Sequence, residues 1–326
     1  MPGRALTIRL GNGVEVLGSE EYHFDADVIE ACGTFCISHA HSDHLPKRVA
    51  AGSKVVASET TLRCLNDRSK KQVAAAPADG IEMFDAGHMA GSRMFQVEVN
   101  GRQVLYTGDL CTRDRCGNLG ARPVRTDVLI IESTYGKPRY VFPPSDLIAS
   151  LVRDEVEDNL AQGRPVSLYA YPFGKSQDML RVLSEFQPFA DRSVFNATSL
   201  VRSDEDPLEC RLWDGDGPDD AFVVICSPWL NRTENAQVLR KRNTKRLAVS
   251  GWAIDSGYKA RLGVDEAFPF SDHADFNDLM SFVKACEPEM VITHHGFADS
   301  LAYEIKARLG IEARPLLKGQ RSLLEF

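Results

Sequence analysis

The chain has 326 residues, 43% of them hydrophobic, which suits one globular domain with an insertion, and its net charge is −8. No segment approaches the roughly 18 apolar residues of a membrane span, and the N-terminal residues lack the apolar core of a secretion signal, so we expect no membrane partner. Eight scattered cysteines without a CxxC pair argue against a disulfide framework and favour a cytoplasmic location. The acidic balance argues mildly against nucleic acid, although basic residues cluster at 240–246.

Short apolar runs predict buried strands at 35–38, 104–108, 128–132, 166–170, 222–226, 247–251 and 290–293. Helical patterns lie between them at 146–162, 175–187, 275–286 and 299–309, the first with Ser145 as its N-cap. The alternation predicts an α/β architecture. Four of the strands end at a polar residue: His39, Asp109, Glu132, and the pair His294 and His295. Since ligands of α/β proteins bind beyond the carboxyl ends of strands, we expect these side chains at one rim.

The strongest local signal is the HxHxDH sequence formed by His39, His41, Asp43 and His44. Residues two apart in an extended segment point the same way, so His39 and His41 can share one metal ion. Asp43 and His44, at the turn that follows, can face a second one. Imidazole and carboxylate groups suit zinc and similar divalent metals.

Three further segments can complete this metal site. His88 lies among small residues in DAGHMAGS, and Asp109 follows a glycine at a strand end, where its carboxylate could bridge two metals. Neighbours on a strand face opposite sides, so only one of His294 and His295 is expected to be a ligand. A cysteine site using Cys111 and Cys116 is the weaker alternative.

HxHxDH, GHxxGS, TGD and a C-terminal HG together resemble the metallo-β-lactamase fold. The resemblance implies an αββα sandwich with a dinuclear site. Histidine-rich ligands suit zinc, with manganese as an alternative. His39, His41 and His88 would hold one ion; Asp43, His44 and a C-terminal histidine would hold the other, with Asp109 bridging. The family's histidine precedes a glycine, which selects His295. A strand-ending aspartate usually orients a ligand histidine; Asp25 is the best match, Asp27 is possible, and an ordinary turn role for Asp25 is the alternative.

Glu132 in ESTYG, His273 in SDHAD and His295 in HHG resemble the three motifs of the β-CASP nucleases, which process DNA and RNA. The compact members, DNA-ligase-associated exonucleases and messenger-RNA 3′-end-processing-like factors, are the most similar, and the resemblance spans nearly the whole chain. Asp43 or Asp109 could orient a metal-activated hydroxide. Glu132 and His273 are not needed as ligands and are free for acid catalysis, since a carboxylate beside His273 favours its imidazolium form. The alternatives are a structural or helix-capping carboxylate and a structural histidine. The insertion is shorter than a full β-CASP domain, and we expect no RNA-binding domain after it.

Substrate contacts are predicted at two turns. Lys175, in GKS at the start of a helix, offers a cation beside free backbone N–H groups, and Ser250 with Gly251 could hold a phosphate, although each turn could serve the chain alone. Five aromatic residues could stack bases or belong to the core: Tyr135, Tyr140, Phe142, Tyr171 and Phe173.

We therefore predict an α/β protein with a metallo-β-lactamase αββα sandwich at 1–135 and 249–326. A short β-CASP-like α/β insertion at 136–248 is expected to cover the metal site like a lid. The predicted function is metal-dependent cleavage of single-stranded DNA or RNA by an exonuclease that uses a hydroxide activated by two divalent metals. The sequence does not choose between the two polymers. A DNA ligase or helicase is a possible partner by resemblance. The alternatives are a small-molecule ester or thioester hydrolase and a non-catalytic partner protein.

Overall fold

The computed structural model describes residues 5–204, 206–215, 217–232, 234–317 and 322–323. The chain divides into two compact units, which we call the first unit (1–113, 119–141 and 273–326) and the second unit (114–118 and 142–272). We predicted one domain at 1–135 with 249–326 and a second domain at 136–248. These bounds differ from the two units mainly at 249–272, and the domain division remains a prediction. The extreme ends of the first predicted domain lie outside the described residues.

The strands are β1 (Thr7–Gly11), β2 (Gly13–Leu17), β3 (Glu21–Phe24), β4 (Val28–Ile29), β5 (Thr34–Cys36), β6 (Arg48–Val49), β7 (Lys54–Val55), β8 (Ala74–Ala75), β9 (Ile81–Asp85), β10 (Arg93–Val99), β11 (Arg102–Tyr106), β12 (Val128–Glu132), β13 (Val166–Tyr169), β14 (Phe189–Ala190), β15 (Arg211–Leu212), β16 (Val223–Cys226), β17 (Lys245–Val249), β18 (Glu266–Phe268), β19 (Met290–His294), β20 (Glu312–Pro315) and β21 (Ser322–Leu323). The α-helices are α1 (Glu59–Ser69), α2 (Ser145–Ala161), α3 (Lys175–Val182), α4 (Arg192–Val201), α5 (Glu234–Lys241), α6 (Tyr258–Leu262), α7 (Phe276–Cys286) and α8 (Ala298–Leu309). Short 3-10 helices lie at Ser184–Phe186, Pro228–Arg232 and Gly251–Ile254.

The first unit is an αββα sandwich. One sheet has the order β21-β1-β2-β3-β5 and the other β20-β19-β12-β11-β10-β9. Alternation along β12 shows why they pack together: Val128 and Ile130 join the apolar cluster between the two sheets, whereas Leu129 and Ile131 pack against α7 and α8 on the outer face. Helix α1 covers the outer face of the other sheet through Leu65. The predicted fold class is confirmed.

The second unit is a parallel α/β sheet of order β15-β14-β16-β13-β17-β18. Strands β13 and β16 are buried along their whole length, as expected for a parallel sheet that is covered on both faces. One cluster packs α2, α3 and α4 onto one face, and a second cluster around Trp213 and Phe222 covers the other. This is the predicted α/β insertion.

The predicted strands and helices are present with shifted ends. The helix expected at 146–162 starts at Ser145, with Pro144 in the cap position, so Ser145 is not the N-cap. The helix expected at 175–187 ends at Val182, and a 3-10 turn at Ser184–Phe186 follows. Among the described residues, none of the helices has the length and apolar character needed to cross a bilayer.

Candidate metal centre

The first cluster of possible ligands lies at the carboxyl edge of the first unit's strands. His39 and His41 follow β5, His88 lies in the turn between β9 and β10, and Asp109 follows β11. All four side chains are buried, and one ligand atom from each lies within 4.8 Å of the others. Nε2 of His88 is 3.0 Å from Nδ1 of His41, a closeness that a shared cation would explain. The structure thus brings together the residues predicted for the first ion.

A second cluster adjoins the first one. One ligand atom each from Asp43, His44 and His295 lie within 4.8 Å of one another. Asp109 faces both clusters: its Oδ2 is 3.4 Å from Nε2 of His39 and 3.4 Å from Nε2 of His44, and its Oδ1 is 4.0 Å from Nδ1 of His295. A bridging role for Asp109 fits this position, although the ligand assignment itself stays a prediction.

The chemistry of the donors fits a metal ion. Nε2 of His39, Nε2 of His44 and Oδ1 of Asp109 are buried without a hydrogen-bond partner in the described part of the chain. Buried polar atoms are rarely left in this state, because the loss of hydration costs about 1–3 kcal/mol each. Converging imidazole nitrogens and a carboxylate oxygen are zinc-type ligands. The cluster is therefore a metal-binding site, and no group of this kind in the described residues includes Cys111 or Cys116.

The electrostatics of the cluster point the same way. Burial by itself would raise the pKa of the Asp109 carboxyl, but His44 and His39 hold that pKa well below its usual range. Burial and the neighbouring His44 lower the pKa of His39, which keeps its imidazole in the neutral, metal-binding form. Burial opposes the charge on His44, but Asp109 and Asp25 raise the pKa of His44 well above its usual value. The carboxylates of Asp109 and Asp25 thus stabilise positive charge at this site.

Asp25 supports the cluster from behind. Its Oδ2 accepts a hydrogen bond of 2.7 Å from Nδ1 of His44, so Nε2 of His44 is directed at the site. The same carboxylate accepts hydrogen bonds from the Tyr106 hydroxyl at 2.8 Å and from the backbone N–H and the hydroxyl of Ser38, both at 2.6 Å. Asp27, the other candidate, is exposed and pairs with Lys47 at 2.9 Å. Asp25 is therefore the residue that orients a candidate ligand.

Tyr106 and Ser38 are site residues that the sequence analysis missed. Ser38 immediately precedes His39, and its hydroxyl lies 2.9 Å from Nδ1 of that residue. Tyr106 ends β11 just before the TGD segment. Their positions beside the two motifs were the available signal, but neither residue type marks a metal site by itself.

His294 and His295 have different environments. His294 is buried, its ring stacks on Tyr106 with centroids 5.4 Å apart, and burial lowers its pKa to about 3. His295 is the member of the second cluster, and its φ of 59° turns its side chain away from the strand direction. The next residue, Gly296, has a φ of 55°, and a Cβ there would lie 2.4 Å from the carbonyl oxygen of Ser133. The tight turn after β19 thus explains the glycine of the HHG sequence.

Glu132 and His273 form a buried pair next to the cluster. Nδ1 of His273 is 3.1 Å from each carboxylate oxygen of Glu132, which is fully buried. Oε1 of Glu132 also accepts a 2.6 Å hydrogen bond from the backbone N–H of Leu110, next to Asp109. One ligand-type atom each from Asp109, Glu132 and His273 lie within 4.8 Å of one another. The two predicted catalytic residues are therefore in contact with each other and adjacent to the metal site.

The residues predicted to contact phosphate form hydrogen bonds within the second unit. The ammonium group of Lys175 is hydrogen-bonded to Oδ1 of the buried Asp272. The backbone N–H of Gly174 donates to the Gln177 side chain, so this helix start is capped internally. The Ser250 hydroxyl accepts a 3.3 Å hydrogen bond from the N–H of Trp252 and caps the turn that includes Gly251. The phosphate roles of Lys175, Ser250 and Gly251 stay predictions.

Most of the aromatic candidates belong to the interior. Tyr135, Tyr140 and Phe142 are at most 8% exposed. Tyr171 and Phe173 are half-buried, and the ring centroid of Tyr171 lies 5.8 Å from that of the exposed Trp229. Base stacking by these residues stays a prediction, for which Tyr171 has the most accessible surroundings.

Residues 262–314 match the family described as the Zn-dependent metallo-hydrolase RNA specificity domain. A probable DNA ligase of Opitutus terrae is 32% identical over 298 residues, which are 85% of this chain and 28% of the relative. An RNase J-like protein of Methanocaldococcus jannaschii is 24% identical over 292 residues, covering 72% of this chain and 67% of the relative. The chain thus spans about a quarter of the first relative and about two thirds of the second. A protein of unknown function from Enterococcus faecalis shares the fold, with a TM-score of 0.69, 12% identity, and coverage of 99% of this chain and 100% of that one.

Proposed function

Because the chain belongs to the β-CASP branch of the metallo-β-lactamase fold, we propose that it is a metal-dependent phosphodiesterase that cuts single-stranded DNA or RNA. The observation that carries the proposal is the pair formed by Glu132 and His273 beside Asp109. A metal site alone would serve any hydrolase of this fold. A buried acid and histidine beside it supply the proton that an alkoxide leaving group requires.

Each residue of the pair has its own proposed role in catalysis. Nδ1 of His273 donates to Glu132, which fixes the imidazole ring and leaves Nε2 to hold a proton for the leaving oxygen. Glu132 is itself fixed by the backbone N–H of Leu110, so the ring has a rigid support. Asp43 is largely exposed, and its Oδ2 lies 4.0 Å from Nε2 of His44, where it can orient a water molecule or a ligand.

We propose two metal ions, with zinc as the resident metal and manganese as an alternative that supports activity. His39, His41 and His88 would hold one, Asp43, His44 and His295 the other, and Asp109 both. Bound ions at these positions would activate a water molecule and neutralise charge on the phosphate oxygens. The histidine-rich donor set favours zinc over magnesium or calcium, which prefer oxygen ligands.

The names of the relatives do not choose between DNA and RNA, since one is a probable DNA ligase and the other is an RNase J-like protein. For DNA as the substrate, we propose that this protein acts together with a DNA ligase. The test is incubation of the zinc-loaded protein with end-labelled single-stranded DNA and matched RNA, alongside S-lactoylglutathione and a lactone. Product ladders give the preferred sugar and the direction of cutting.

His273→Ala and Asp109→Asn are the test variants, and Asp67→Asn, a surface aspartate paired with Lys70, is the control. We expect the wild type and the control to cut nucleic acid and both test variants to lose the activity. A zinc-loaded wild type that turns over S-lactoylglutathione or the lactone but neither polymer would overturn the proposal and make the small-molecule hydrolase correct.

A further inference from the structure

A basic cavity lies on the first unit, beside the HxHxDH segment but outside the metal cluster. Its volume is about 770 Å³, and its walls come from the paired strands β4 and β6 and from the end of α1. We use the name basic cavity for the space lined by the cationic residues Lys47, Arg48, Arg68 and Lys71. Glu30 is the acidic residue among its lining residues. Four cations facing one carboxylate are notable in a chain whose net charge is −8.

The cations of the basic cavity are mostly available to a ligand. Lys47 pairs with Asp27, but both side chains are more than half exposed, so water screens this pair. Arg48 is exposed, and its guanidinium has neither a hydrogen bond nor an ion pair within the described part of the chain. Arg68 and Lys71 donate to backbone carbonyls of Ser42 and Val49, contacts that leave both positive charges without a neutralising carboxylate. The lining of the basic cavity therefore carries a net positive charge, and Arg48, Arg68 and Lys71 have no carboxylate partner among the described residues.

The basic cavity is physically connected to the metal site. Arg68 donates a 3.1 Å hydrogen bond to the carbonyl of Ser42, which lies between the candidate ligands His41 and Asp43. Pro46, two residues after His44, is part of the cavity lining. A strand whose scissile phosphate lay at the metal cluster would therefore have a positively charged surface close by.

Helix stabilisation does not account for all of these cations. Arg68 occupies the last turn of α1, where a positive side chain is favoured by the helix dipole, and Lys71 lies two residues past the end of that helix. Lys47 and Arg48 belong to a different segment, since Arg48 begins β6 and pairs in register with Val28 of β4. Two separate segments thus bring cations to one cavity, which a helix dipole alone does not require.

We propose that the basic cavity binds phosphate groups of the single-stranded nucleic acid, away from the phosphate that is cut. This inference rests on the proposed function and adds the path of the strand over the first unit. An extended polyanion suits the site, because Lys and Arg side chains spread over a cavity neutralise several phosphates at once and release their counterions.

The experiment measures how salt affects binding of a fluorescein-labelled phosphorothioate oligonucleotide to the zinc-loaded protein. Arg48→Gln and Lys47→Gln are the test variants, since neither residue donates to the HxHxDH segment. Arg125→Gln is the matched control, because Arg125 is an exposed arginine of the same unit that does not line the cavity. We expect the slope of log affinity against log salt to fall by about 0.7 for each cation that contacts a phosphate, with no change for the control.

A second measurement separates this inference from the proposed function. The ratio of kcat/KM for the oligonucleotide to kcat/KM for bis(p-nitrophenyl) phosphate should fall in Arg48→Gln, since only the longer substrate reaches the basic cavity. Equal slopes and ratios in the wild type and Arg48→Gln would overturn the inference even when the wild type cuts nucleic acid. Inorganic phosphate or AMP competing as strongly as the oligonucleotide would also overturn it, in favour of a small free anion.

Discussion

Nδ1 of His273 lies 3.1 Å from both carboxylate oxygens of Glu132, although the two residues are 141 positions apart. Glu132 ends the buried strand β12, and His273 precedes α7. The carboxylate is fully buried and is also held by the N–H of Leu110, so the histidine ring is fixed next to the metal cluster. The proposed phosphodiesterase activity rests on this contact.

Replacing either member of this pair should reduce kcat with little effect on metal content. We expect His273→Ala to lower kcat by about 10²–10⁴-fold, the usual contribution of a general acid. Glu132→Gln should lower it less, since the ring would keep a hydrogen-bond acceptor. The double variant should be no slower than His273→Ala, because the two residues act as one unit. Rates that multiply in the double variant would show that Glu132 and His273 work independently.

Asp25 should control the affinity for metal through His44. Removing the 2.7 Å hydrogen bond to Nδ1 in Asp25→Ala is expected to weaken metal binding by about 10–100-fold, as is usual for residues that orient a ligand. Competition with a fluorescent zinc chelator measures this affinity. The matched control is Asp27→Ala, whose carboxylate is exposed and bonded to Lys47. Equal losses in the two variants would disprove the assignment of Asp25.

The adjacent histidines should separate metal binding from stability. His295→Ala is expected to reduce the bound metal from two ions to one per chain, as measured by elemental analysis. His294→Ala should keep both ions, but we expect its free energy of unfolding to fall by about 2–4 kcal/mol, because a buried ring that packs on Tyr106 is lost. Urea unfolding in the presence of a chelator measures the second effect. Loss of an ion in His294→Ala alone would reverse the assignment.

Gly296→Ala tests the turn that presents His295. Its Cβ would lie 2.4 Å from the Ser133 carbonyl oxygen and would occupy a left-handed backbone conformation. Gly310 has a φ of 69° but no atom within 4 Å of the same position, so Gly310→Ala isolates the conformational cost. We expect about 1 kcal/mol of destabilisation for Gly310→Ala and clearly more for Gly296→Ala, with metal loss only in the latter. Unfolding curves and metal analysis that are alike for the two variants would contradict the steric explanation.

Removal of metal should destabilise the first unit. The cluster buries Asp109 among three histidines, and ions that bind only the folded chain stabilise it by about 2.7 kcal/mol at a hundredfold excess over Kd. EDTA should therefore lower the Tm, and zinc should restore it. Asp109→Asn serves as the comparison, since its Tm should respond much less to EDTA. A wild-type Tm that EDTA leaves unchanged would count against a structural contribution of the metal.

The sequence by itself determined the fold class and the main site residues. Apolar runs of strand length with polar ends are local patterns, so β12 and β19 could be expected at almost their observed positions. The density of histidine in HxHxDH is equally local, and it identified His39, His41 and His44 from residue type and spacing. The resemblance to known proteins supplied the part that spacing leaves open, including the choice of His295.

Only the tertiary structure decided which side chains meet across the chain. It joined Tyr106 and Ser38 to Asp25, paired Lys175 with Asp272, and assembled the basic cavity from two separate segments. No local pattern encodes these contacts, since the periodicity of a strand or helix fixes the face of a residue but not its distant partner. The partner is set by how buried surfaces pack together, and the requirement that buried charges be neutralised or hydrogen-bonded then selects which polar groups are found there.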